Sequence, residues 1–528
     1  MKLTAALLAG PLAAAAKDAT FSQPVLWQDL PNLDIIRVGD IFYMTSSSRH
    51  YSPGGPVLRS EDLVGWEYWS HAVTDLAFPP AAAYDLNGDA NRYGAGIASS
   101  CLAYRESGKK FYWAGCVGNQ TFVYTSPAAD GTWKQESVVD TCYEGCGMRF
   151  SDGDDSLYVV HSHEGKVSLA ELDPDDLKEV NKEDIWQATP DMKDVKSTRL
   201  YHKEDKWYVT FAEGEANQHV LRSEEPWGPY ESHQLLGGGS NNTSPVKGAS
   251  NPQQGGLVDT PNGDWYYMGL VTADPGGQLP VLAPVSWANG WPEVKLVGGS
   301  WATEYPLPLS ASSVKPLTGK DEFSTLGPQY EWNHDTDESS WFIEYEGLQL
   351  RPVTVTDDFF RARNTLTHRI LGPKSTMTAE LNTTYMADGD RAGVALLRYQ
   401  AGWVGVAKDD GKLKFVAVNN VKMEANDDDE GWHTVDKGTE VSGDDLSAEG
   451  VTVWLRVEVD ISPDAEKHEG VFSVSTDGST FEKLGETHSM DDDDDDVESF
   501  PAYRYGIFSY SATKLGGRPT FASLDISQ

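Results

Sequence analysis

The sequence predicts an all-β protein, a five-bladed β-propeller followed by an antiparallel β-sandwich. Three observations carry this. Long helical periodicity is almost absent, whereas 17 Trp, 23 Tyr and 50 Gly residues favour strands joined by turns. A polar or glycine turn leading into an aromatic strand recurs five times, as Gly39–Met44, Gly108–Trp113, Asp154–Val159, Glu204–Val209 and Asn262–Tyr267, aligning Tyr43, Tyr112, Tyr158, Tyr208 and Tyr266. A second strand pattern follows each copy, at Val57–Ser60, Val123–Ser126, Val167–Ala170, Val220–Ser223 and Val281–Pro284.

Two strand types repeating in step at roughly 45 to 70 residues fit one four-stranded blade per repeat. A large sandwich whose hairpins look alike by chance would not repeat both patterns together. The propeller is placed over 17–315, with 316–320 as a linker. From Asp321 onward polar loops separate alternating strands such as Ala392–Arg398 and Val451–Val459, and 321–528 read as the sandwich.

The N-terminal segment Met1–Ala16 has one basic residue, Lys2, then an apolar stretch from Leu3 to Leu12, then alanines. That order reads as a signal peptide and is too short to cross a bilayer. Pro11 argues against an ordinary first helix. A secreted, extracellular protein is expected, with no membrane span.

The chain carries 42 basic and 81 acidic residues, a net charge of −39. Phosphate binding depends on Lys and Arg, so nucleic acid and anionic membranes are excluded as partners. The runs Asp427–Glu430 and Asp491–Asp496 read as solvated loops. No cofactor is expected; a structural calcium ion stays open, although an unbroken Asp run does not specify its ligand geometry.

Cys101, Cys116, Cys142 and Cys146 form an even, clustered set, which in an exported chain suggests two disulfides over a zinc site. Their pairing is open among three connectivities. Asn119, Asn241, Asn242 and Asn382 each begin an Asn-x-Ser/Thr sequon, consistent with glycosylation.

Val25–Met44, Tyr51–Glu67 and Gln254–Met268 resemble fungal family 43 glycoside hydrolases, in the branch of α-L-arabinofuranosidases and β-xylosidases. Thr356–Thr376 and Asp388–Arg398 resemble the concanavalin A-like C-terminal domain of that branch, so the sandwich is expected to be of that kind. The resemblance covers nearly the whole mature chain, in the same domain order. It implies a plant cell-wall polysaccharide of arabinoxylan or arabinan type as partner, and a monomer is expected. An appended sandwich of this kind either closes over the propeller face or binds polysaccharide.

The resemblance also implies inverting chemistry at the propeller axis. One carboxylate activates water, another protonates the leaving oxygen, and a third tunes the acid. The base position, four residues before Ile36–Asp40, holds Asn32; the neighbouring Asp34 is kept. The tuning Asp of a Cys-Tyr-x-Asp-x-Gly stretch is replaced by Gly145 within Cys142–Gly147. The acid position, five residues before Tyr201, holds Lys196. A His expected before Gln254-Gly255 is Gln253, and a Trp expected after Gly96-Ile97 is Ala98.

An Asn amide is a very poor proton acceptor, and a Lys with a pKa near ~10.4 is poorly matched to protonating a sugar oxygen. Gly145 contributes no side chain. Glu144 adjoins the tuning position but should face the other side of its strand. Asp194 should share the face of Lys196 on a regular strand and pair with it. An amide and an ammonium where relatives carry up to three negative groups favour an anionic ligand such as a uronic acid. Asn32, Lys196, Tyr51, Asp34, Asp194 and Gln253 are therefore the ligand-binding candidates, Tyr51 because Ser52-Pro53-Gly54 resembles a loop that borders the sugar pocket. Tyr51 and Trp66 are surface aromatics that could stack on a sugar, with core packing as the default. The expected function is a non-hydrolytic carbohydrate-binding pseudoenzyme. The alternatives are an active glycosidase or altered chemistry such as a uronate-directed lyase with a Lys base.

Overall fold

The computed structural model describes residues 19–87, 90–190, 192, 194–214, 217–237, 242–426, 431–446, 450–491 and 500–528. The signal-peptide segment, Asn241, the run 427–430 and residues 492–496 of the second acidic run lie outside them. The described chain is almost all strand, with one short helix, Ala81–Tyr84, and one 3-10 turn, Phe359–Arg361.

Five four-stranded antiparallel sheets form the propeller. Their inner strands are Asp34–Val38, Ile97–Arg105, Glu144–Phe150, Val195–Lys203 and Gln253–Asp259, which we number blades 1 to 5. The next strand of each blade carries the repeated aromatic motif. It is buried between neighbouring sheets, as in Lys206–Glu213 and Trp265–Thr272, whose central six residues are all buried. Every blade is built from one consecutive chain segment. The ring is closed by contacts between first and last blades instead of a shared sheet. Arg37 donates from Nε to the Asp259 carbonyl at 2.9 Å and pairs with its carboxylate. Thr20–Ser22 pairs antiparallel with Glu304–Pro306.

The second domain stacks two antiparallel sheets around one core. Lys374–Asn382 and Thr452–Asp460 pair and alternate strictly, sending Met377, Ala379, Leu381, Val453, Leu455, Val457 and Val459 inward. Its first strand, Gly319–Asp321, pairs with Thr520–Ser527, so regular structure begins inside the expected linker.

The two domains share a sheet. Tyr51–Ser52 of blade 1 leaves the propeller and pairs with Tyr330–Asn333 of the sandwich. Behind this seam Glu331, with no solvent exposure, meets Arg369 at 2.9 Å, His71 of blade 1 at 3.0 Å, and Arg504. The sandwich also reaches the propeller through Asp29, whose carboxylate accepts from the Ala502 and Gln278 amides at 3.2 and 2.8 Å.

Two sequence expectations change here, those for Tyr51 and Asn242, whereas the default core packing of Trp66 and the two expected disulfides are found. Tyr51 is fully buried, with Arg504 over its ring at 3.5 Å and His50 stacked at 4.4 Å, so it has no face for a sugar. Trp66 is also core, donating to the Leu63 carbonyl at 3.0 Å. Asn242 cannot accept a glycan, because it is fully buried, donates to Pro252 O and accepts from the Trp301 indole. The cysteines pair as Cys101–Cys146 and Cys116–Cys142, leaving none free for zinc.

Candidate functional site

The repeated tyrosines define a common register. Tyr43, Tyr112, Tyr158, Tyr208 and Tyr266 stand opposite Ile36, Ala103, Arg149, Tyr201 and Val258 of the inner strands. Four residues upstream of these lie Asn32, Ser99, Gly145, Ser197 and Gln254, five equivalent positions around the axis. Four share a left-handed backbone, with φ of 53° at Asn32, 56° at Gly145, 55° at Ser197 and 52° at Gln254. The ladder slips beside them in blades 2 to 5, between Ile97 and Ser99, Glu144 and Gly147, Lys196 and Arg199, and Gln253 and Gly256. Such bulges end regular pairing and re-aim side chains. Repeated around the axis, they build one ring.

The ring is held by short polar contacts. Asn32 Nδ2 donates to Ala98 O at 3.0 Å, and Gly145 N donates to Ser99 Oγ at 3.2 Å. Thr198 Oγ1 donates to Gly145 O at 2.9 Å, and Ser197 Oγ to Gln254 Oε1 at 3.2 Å. Gly145 also packs directly on blade 4: a β-carbon there would lie 2.5 Å from Ser197 N and 2.8 Å from its Cα.

Arg199 is the hub beneath the ring. Only 2% exposed, its guanidinium donates to Thr198 O at 2.7 Å, Cys146 O at 2.9 Å, Gly145 O at 3.1 Å, Asn32 O at 3.4 Å, and Leu33 O. Gly147 makes room for it, since a β-carbon there would sit 2.7 Å from the Arg199 Cα. Its Nε faces Asp34 Oδ1 at 3.1 Å, and Asp34 Oδ2 accepts from Leu102 N at 2.9 Å. Burial raises the Asp34 pKa and Arg199 counters it. Asp34 is thus scaffold and, buried and paired, does not reach a ligand. On the far side of Arg199 a cavity of about 390 Å³ is lined by Asp34, Arg37, Arg149, Asp152 and Asp259, and by none of the ring residues.

The structure therefore brings Asn32, Gly145 and the Lys196–Ser197 pair together. Lys196 is half-buried, and no ion pair joins it to any described carboxylate. The expected Asp194 partner is absent because the strand starts at Val195 and Asp194 is exposed, at φ 53°. Gln253, the equivalent of Lys196 in blade 5, is 5% exposed, and its Oε1 has no hydrogen-bond partner. Among the described residues no group of three or more His, Cys, Asp or Glu is placed to hold a metal ion.

Sequence reasoning missed Arg49. Its amide and carbonyl exchange hydrogen bonds with Ile97 at 3.0 and 3.1 Å, which ties it to the residue beside Ala98. Gly96, at φ 102°, permits this approach, since any β-carbon would collide with the Arg49 carbonyl. Its guanidinium is half-buried and makes no hydrogen bond or ion pair with the described residues. The available signal was an Arg in a stretch, Asp40 to Glu61, that holds two Arg and no acid between its ends, in a strongly acidic chain.

An axial ring on a five-bladed propeller, joined to a two-sheet antiparallel sandwich, defines the class as a two-domain propeller–sandwich protein. The sequence model for glycosyl hydrolases family 43 matches residues 21–292, and that for the beta xylosidase C-terminal concanavalin A-like domain matches 320–526. The chain belongs to glycosyl hydrolases family 43. It is similar to a beta-xylosidase of Formosa agariphila, 25% identical over 95% of this chain and 89% of the other. A non-reducing end alpha-L-arabinofuranosidase of Bacteroides ovatus is 26% identical over 71% of this chain and 73% of its own. One solved structure superposes with a TM-score of 0.90 at 35% identity, covering 97% of this chain and all of the other. It is a family 43 glycoside hydrolase engineered at its active site to show both endo-xylanase and exo-arabinofuranosidase activity.

Proposed function

We propose that this chain is an exported carbohydrate-binding protein that holds xylan- or arabinan-type polysaccharide at the propeller axis without hydrolysing it. The observation that carries this reading is the contact of Gly145 with the Ser197 backbone. At the position where relatives are expected to carry the tuning carboxylate, a β-carbon would already lie 2.5 Å from a backbone nitrogen. Lost catalytic side chains are here accompanied by closure of the backbone around one of them. Asn32 supports the same reading. Its amide donates to Ala98 O, a contact that a carboxylate could not make. Lys196 brings an ammonium where inversion needs an acid of lower pKa. The names of the relatives point to xylan and arabinoxylan side chains as ligand, and Met1–Ala16 supports export.

A second reading, an active glycosidase, is favoured by those relatives being named as enzymes. Product analysis separates the two. Purified protein is incubated at length with arabinoxylan, arabinan, glucuronoxylan and pectin, with Lys196→Ala as control. Retention on one polysaccharide without any product is the expected result. Arabinose or xylose released by the wild type alone overturns it, and an unsaturated uronate absorbing in the near ultraviolet would indicate a lyase.

A further inference from the structure

Beside the axial ring stand two cations, Arg49 and Lys196, that form no ion pair with any described carboxylate. Lys196 stands at the blade 4 bulge, directly before Ser197, whose backbone abuts Gly145. Arg49 is bonded to Ile97, the residue before Ala98, and Ala98 O accepts from Asn32. The chain of contacts Arg49, Ile97, Ala98, Asn32 thus runs round one side of the ring, and Gly145 to Ser197 closes the other. Both cations are half-buried, and neither is joined to a described carboxylate. Beside them Gln253 has a buried, unpartnered side-chain oxygen. In a protein with nearly twice as many acids as bases, other buried arginines are ion-paired, Arg199 to Asp34 and both Arg369 and Arg504 to Glu331.

We propose that Arg49 and Lys196 form a carboxylate-recognition pair over the ring, so that the axial ligand is a neutral glycan backbone bearing isolated uronic acid residues. This rests on the axial ring being the binding site proposed above. A guanidinium offers a planar fork that grips a carboxylate with two parallel hydrogen bonds, and Lys196 adds a point charge. Partial burial lessens solvent screening. Glu144 and Asp29 are the carboxylates that act on Arg49; they support its charged form against burial, which pulls its pKa down. They also set a limit. With a net charge of −39 over the chain, the protein as a whole repels a polyanion, so a single uronate on a neutral chain suits the site better than a polyuronate.

The test is calorimetric titration of the full chain with a xylo-oligosaccharide carrying one glucuronic acid, and with the same oligosaccharide after reduction of its carboxyl group. The acidic form is expected to bind about tenfold more tightly, a difference lost with rising salt. Arg49→Gln and Lys196→Gln should each weaken binding of the acid about three- to tenfold and weaken the reduced form distinctly less, so that the preference for the acid shrinks. Glu144→Gln should strengthen it, and polygalacturonate should bind less well than the single-uronate ligand. If Arg49→Gln does not fold, the Lys196 and Glu144 variants decide the matter. Equal affinity for acid and reduced forms, unmoved by the variants, overturns this inference and leaves the binding function standing. Release of sugar with the acid preference intact upholds the inference and overturns the non-hydrolytic reading. Absence of binding by either oligosaccharide overturns both.

Discussion

Asp34 and Arg199 meet 3.1 Å apart at the propeller axis, joining blade 1 to blade 4 through two almost fully buried side chains. The guanidinium also satisfies carbonyls of blades 1, 3 and 4, so one residue holds three blades at a common centre. Arg199→Met should strand both Asp34 and those carbonyls and lower stability by about 3–5 kcal/mol. Arg199→Lys should recover little, because one ammonium cannot span the same set. Chemical denaturation measures both; a loss below about 1 kcal/mol would show the hub to be dispensable.

Gly145 combines a left-handed backbone with the Ser197 contact. Gly145→Ala should cost about 1–3 kcal/mol, more than the same change at the open turn glycine Gly118, where nothing crowds the site. Introducing carboxylates at the three positions where the family resemblance expects them, by Asn32→Asp, Gly145→Asp and Lys196→Glu, should release no sugar from arabinoxylan. Sugar release by that triple variant would mean that blades 3 and 4 part easily.

The domain seam predicts an acid limb. Burial alone would push the Glu331 carboxyl up, but Arg369, Arg504 and His71 hold it well below its usual value. A depressed carboxyl contributes stability that is complete above the unfolded pKa, about 4.3, and is lost as pH falls toward the folded value. Buried His334 and His368, lowered by burial to about 3 and about 4, act earlier. Unfolding lets them take protons, so stability should begin to fall below about pH 6.5. Asp34, raised, works in the opposite sense. Melting temperature against pH should therefore decline in two stages, and Glu331→Gln should flatten the second while lowering the neutral plateau.

Cys101–Cys146 joins the inner strands of blades 2 and 3 directly beneath the ring. With a sequence separation of 45 between the partners, its removal by paired Ala substitutions should cost about 4 kcal/mol by chain entropy. Cys116–Cys142, closing 26 residues, should cost about 3–4 kcal/mol. Removal of the first should also weaken ligand binding through ring geometry, which separates the two when melting and titration are compared.

The propeller and sandwich were legible in the chain because their signals are local. Each blade is one consecutive run of hairpins, so its turn, its aromatic strand and its partner strand lie within a few tens of residues. The strict alternation of Lys374–Asn382 and Thr452–Asp460 announces a sheet with one buried face. Asn32, Gly145 and Lys196 could be singled out because they interrupt otherwise well-matched motifs.

What tertiary structure alone decided is how distant segments meet. Tyr51 looked like a pocket residue until blade 1 lent it to the sandwich sheet beside Asn333. Asn242 carries a sequon yet is enclosed by Trp301 and Pro252. Asp194 looked like a partner for Lys196 until a bulged strand start turned it away. Arg49 had no motif at all, and only its pairing with Ile97 brings it to the ring. A strand or turn is set by the preferences of neighbouring residues, whereas an unpaired charge is defined by everything that packs around it, and that is settled only when all five blades and the sandwich have closed.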